Sequence, residues 1–167
     1  MRRAALALLG LLAACGPSHA PAPEQTGAGA RLERAAIAIG MVSDPAKIDP
    51  VGVFASESDH VCILRAARDY RIGASVDYGD GHHCIARGTA KGAGKLNVAL
   101  GGGCHFEARL DGSKLTFPPV LPEACEQLCT GRASLSALTA ERLSAATSEA
   151  ASLPAPDGKP LCGGDAG

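Results

Sequence analysis

Between residues 51 and 117 apolar and polar side chains alternate, and that period of two decides what this chain can become. In "YRIGASVDY", Tyr70, Ile72, Ala74, Val76 and Tyr78 fall on one side, and Arg71, Gly73, Ser75 and Asp77 on the other. Successive residues of an extended strand point to opposite faces, so the run predicts an antiparallel strand with one buried face. "CHFEARL" repeats the pattern, with Cys104, Phe106, Ala108 and Leu110 facing in and His105, Glu107 and Arg109 facing out. In "LNVAL", Leu96, Val98 and Leu100 share a side. Turn signals separate the runs: Asp80-Gly81, Gly92-Ala93-Gly94, Gly101 to Gly103, and Asp111-Gly112. Such pairs supply the positive φ angles of tight hairpins. About seven strands are expected, at 51–55, 60–66, 70–78, 82–90, 95–100, 104–110 and 113–117. Short strands joined by short turns make an antiparallel meander that curls into a small barrel or curved sheet, a mainly β (α+β) fold.

Helical spacing flanks the strands. "RLERAAIAIGMV" carries Leu32, Ala35, Ala36 and Ile39 on one side and predicts a short helix ending at Gly40, with Pro45 and Pro50 marking the loop beyond. Pro118 and Pro119 end the strand region, and "LPEACEQLCTG" predicts a short helix. Pro122 suits its first turn, Glu123 complements its dipole and Gly131 suits its exit. Thr139 is a fitting N-cap for a second C-terminal helix reaching about Ala151, with Leu135, Leu138 and Leu143 packed on the sheet. The end of the chain, 152–167, is polar and rich in Gly and Pro, and is expected to be a disordered tail.

The N-terminus carries an address. Arg2 and Arg3 precede an apolar run from Ala4 to Ala14. A membrane-spanning helix needs about 20 apolar residues, so this run has the length of a secretory signal instead. It ends Leu12-Ala13-Ala14-Cys15, which resembles the lipobox of bacterial lipoproteins. That resemblance implies a signal peptide over 1–14, cleavage before Cys15, a diacylglyceryl group on its sulfur and a fatty acyl group such as palmitate on its new amine. It also implies an envelope location, periplasm-facing or at the surface. Gly16 is not the aspartate that retains such proteins at the inner membrane, so the cell outer membrane is favoured over the inner one. Residues 15–30, with "GPSHAPAPEQTGAGA", are expected to be a flexible lipid-anchored linker, leaving 31–151 as the β-meander domain.

With Cys15 lipidated, Cys62, Cys84, Cys104, Cys125, Cys129 and Cys162 remain, an even number. In an exported chain that reads as disulfides. Cys62, Cys84 and Cys104 fall on the second, fourth and sixth expected strands, which are not neighbours in a meander. A bond between two of them must cross a curled interior, or the helix must supply the partner. Cys125 and Cys129 share a helix face and could bond strand cysteines or each other.

Other chemistries find less support. A formal net charge of −1 provides no field for nucleic acid, and the absence of tryptophan, with five other aromatics, argues against stacking platforms. His82, His83 and Cys84 with Cys104 and His105 could ligate a metal, but strand alternation points Cys84 away from His83 and Cys104 away from His105. Arg65, Arg68 and Arg71 form a candidate cationic binding patch, or a solvated turn. No nucleophile elbow or phosphate-cradling motif is present, and no cofactor is called for. Asp59 and His60 with a serine, or two converging carboxylates, remain the routes to a hydrolase. The architecture and lipobox are similar to those of membrane-bound lysozyme inhibitors, and no residue's role is carried over from them. The expectation is a non-enzymatic, lipid-anchored envelope module that binds a protein or small ligand. The alternatives are a Cys/His metal-binding or redox lipoprotein and a periplasmic hydrolase.

Overall fold

The computed structural model describes residues 27–39 and 48–163. The chain divides into two compact units, Met1–Val42 and Ser43–Gly167. The signal run, Cys15, Gly40, Pro45 and residues 164–167 lie outside the described residues, as does the linker up to residue 26. In the first unit, α1 spans Ala28–Ala38, so the expected helix begins earlier than its apolar spacing indicated.

The second unit is an antiparallel barrel of eight strands. They are β1 (Gly52–Ser56), β2 (Asp59–Arg65), β3 (Tyr70–Asp77), β4 (His83–Gly92), β5 (Lys95–Leu100), β6 (His105–Asp111), β7 (Lys114–Thr116) and β8 (Thr139–Ser144). Each pairs with the next, and β8 closes on β1 through Phe54↔Arg142 and Ala55↔Glu141. The first seven match the expected strands to within a few residues. The eighth corrects the sequence reading, which gave Thr139 to a helix. Without it, β1 and β7 would each leave a row of unpaired backbone groups, and closure satisfies both. The helix is reduced to α3 (Thr147–Ser152), after α2 (Glu123–Glu126). Leu135 and Leu138 are buried as expected, but from the loop before β8, while Leu143 is exposed.

Inward side chains fill the barrel: Phe54, Ile63, Ile72, Val76, Leu96, Leu110 and Leu115 are essentially inaccessible. Phe117 joins them from beyond β7, its ring centroid 4.7 Å from that of Phe106. A second apolar cluster lies outside the barrel wall, where Val53, Cys62 and Leu64 meet Ala150 of α3 and Ala155, Leu161 and Cys162. Both faces of β2 are therefore covered, which explains its unbroken apolar run "VCIL".

The cover corrects the expectation of a disordered tail after residue 152. Through Gly163 this segment is a strap packed on the barrel. Leu161 donates its N–H to the Leu153 carbonyl at 2.7 Å, and Arg87 grips Asp157 through both carboxylate oxygens at 2.9 and 3.1 Å. Cys162 is bonded to Cys62. Gly73 makes the close approach feasible, because a Cβ there would fall 2.2 Å from the Leu161 carbonyl oxygen. Burying Leu161 stabilises the strap by about 2 kcal/mol. Composition failed to reveal this because the segment's few apolar residues need the barrel wall as a partner.

Candidate functional site

The alternating strand directions give the barrel two different ends. Turns 57–58, 78–82 and 101–104 and the long loop 117–138 lie at one end. Turns 66–69, 93–94 and 112–113 lie at the other, where the chain also arrives at β1 and leaves β8.

The first end is sealed. Phe117, Leu121, Ala133, Leu135 and Leu138 from the long loop are buried against the barrel core. Two disulfides pin the loop, Cys84–Cys129 and Cys104–Cys125, with Cα separations of 4.0 and 4.6 Å. Cys84 of β4 and Cys104 of the β5–β6 turn thus take their partners from the α2 region and not from each other. The sulfurs among the metal-ligand candidates are held in these bonds. His82 Nδ1 accepts the Arg132 N–H at 3.1 Å, and His83 Nδ1 lies 3.3 Å from the Thr130 hydroxyl. His105 is exposed on β6. Among the described residues, no three of His, Cys, Asp or Glu gather in ligand geometry.

Asp59 and His60 also lie at the sealed end. His60 Nδ1 is 3.2 Å from the Ser58 carbonyl. Burial raises the Asp59 pKa, His60 pulls it back, and Glu57 pushes it further up. Its buried Oδ1 has no hydrogen-bond partner. Among the described residues, neither side chain is hydrogen-bonded to a serine hydroxyl.

Among the described residues the second end is open, and it holds a pocket of about 480 Å³, lined by Arg65, Arg142, Asp49, Ser113 and Thr147 among polar residues and by Ile48, Val51 and Ala145 among apolar ones. Arg142 extends from β8 over the Phe54 ring, 4.7 Å from its centroid, so its guanidinium caps the core. It donates to the carbonyls of Val51 and, at 2.8 Å, Asp49. Gly52 gives it room: a Cβ there would lie 2.2 Å from the Ser144 oxygen and 3.1 Å from Arg142 Nη1. Burial lowers the Arg142 pKa, and Asp49 partly restores it.

The Asp49 carboxylate is engaged elsewhere. One oxygen lies 2.8 Å from Arg65 Nη2, and the other accepts the Val51 N–H at 3.1 Å. Attraction to Asp49 raises the Arg65 pKa. Of the arginine patch expected from sequence, Arg65 lines this pocket and Arg68 stands exposed in the adjoining turn. Arg71 lines a separate cleft with Arg87, Leu161 and Cys162. The three are not brought into one site. Sequence alone does not reveal Arg142 and Thr147, which fall in a stretch with helical spacing, nor Asp49 in a plain loop, nor Ser113 at the start of a strand. No family model, curated protein or solved structure matches the chain.

Proposed function

We propose that this protein is a non-enzymatic binding module, held on the bacterial cell envelope by a lipid on Cys15, that engages a protein or small ligand at the open end of its barrel. One observation carries the reading. The interior is filled and one end is closed by a doubly bridged loop, while the pocket at the other end gathers the charges of Arg65, Arg142 and Asp49 around an apolar hollow. Recognition sites are concave, mostly apolar and carry a few well-placed polar groups, as this one does. Three disulfides among the described residues suit an oxidising compartment outside the cytoplasm. The lipobox supplies the anchor and favours the outer membrane.

Two measurements test this. Mass spectrometry of native protein is expected to find Cys15 as the acylated N-terminal residue. An intact Met1 with an unmodified Cys15 refutes the anchor. Affinity capture from envelope extracts is expected to recover a ligand or partner that is lost when Ala145→Trp fills the open-end pocket. Equal recovery by both proteins refutes the open end as the binding end.

A further inference from the structure

We infer that the open-end pocket takes a small amphiphilic anion, a carboxylate or phosphate head group carrying a short apolar chain. This rests on the open end being the binding end and adds the ligand's chemistry. The argument starts from Arg142. Its guanidinium is half-buried over Phe54, and the acceptors it is given are two neutral carbonyls. Among the described residues the carboxylate that acts on it is that of Asp49, whose oxygens are shared with Arg65 and the Val51 amide. Charges withdrawn from water are ordinarily paired. Among the described residues lining this pocket, the guanidiniums of Arg65 and Arg142 face the single carboxylate of Asp49, which leaves room for an anion to balance the charge.

The carbonyls also fix its orientation in advance, which lowers the ordering cost of binding. Ser113 contributes no donor, since its hydroxyl donates to Glu141 at 2.9 Å. The Thr147 hydroxyl and the Arg65 side chain line the same space. The remaining walls are apolar, formed by Ile48, Val51 and Ala145. A bare inorganic anion would leave them wet, whereas an alkyl chain would cover them.

The test uses the full chain with Cys15→Ser and nuclear magnetic resonance titration with octanoate, octyl phosphate, octanol and inorganic phosphate. Octanoate and octyl phosphate are expected to shift the Arg142 Nε–H and the Thr147 amide in a saturable way, at least about tenfold more tightly than octanol. Arg142→Gln is expected to weaken both by a similar factor. If that variant does not fold, Ala145→Trp decides, because it fills the pocket from an exposed position. Octanol binding as tightly as octanoate would overturn the charge requirement. Inorganic phosphate matching octyl phosphate would overturn the apolar one. If envelope capture depends on the open end while neither amphiphile shifts it, the ligand class fails alone and the binding end stands.

Discussion

Two half-buried charges at opposite ends of the barrel are handled differently. Arg142 is supported by carbonyl dipoles and an aromatic face, whereas Asp59 has a buried oxygen with no partner. Burial therefore lifts the Asp59 pKa above its ordinary 3.8. Between that value and the raised one, the folded state holds more protons than the unfolded chain, so stability falls as pH rises through the interval. The contribution is complete below 3.8 and absent above the native pKa. Asp59→Asn keeps the shape without the charge. It is expected to exceed the parent in stability at neutral pH by less than about 1 kcal/mol, since the site is partly wet. The gap closes in acid, and urea melts at neutral and acid pH measure it. A less stable variant at neutral pH would refute the account. Asp157 behaves oppositely: its hydrogen bond to Arg87 lowers its pKa, so what it contributes is lost as pH falls through the native value.

At the scale of elements, the sealing loop is the informative case. It contains one short helix, so the bridges to β4 and the β5–β6 turn hold it in place. Replacing Cys104 and Cys125 together by serine is expected to cost about 3 kcal/mol, from the entropy of a loop whose ends are 21 residues apart. Chemical denaturation checks this, and an unchanged midpoint would mean that packing alone seals the end. Seven strands were legible because their inward positions are largely apolar and four of the six turns between them carry Asp-Gly or Gly-rich signals. β8 was not, since its single fully buried residue is Ala140 and "AERL" is rich in helix formers. Closure with β1 and β7, a long-range demand, overrode that local preference. The same misreading hid Arg142, whereas Arg65 was visible beside its turn. The pocket was half legible for that reason: one wall comes from a recognised strand end and the floor from an unrecognised one.

For the whole molecule, the deciding contacts are those between distant parts of the chain. β1 pairs with β8, and Cys62 with Cys162 across a separation of 100 residues. The Cys62→Ser, Cys162→Ser double variant is expected to lose the most of any bridge pair, roughly 4–5 kcal/mol by loop entropy. It should also release the strap and bare the outer cluster of Val53, Leu64 and Leu161 to a hydrophobic dye. A smaller loss than for Cys104 and Cys125 would refute the entropic account.

Because the sheet closes on itself, none of the eight described strands is an edge strand. Neighbouring copies of the closed barrel meet through side chains. A lesion that unseats β8 would leave two raw seams, each able to zip onto the next molecule. In such a protein, polymerisation is held off by the last strand.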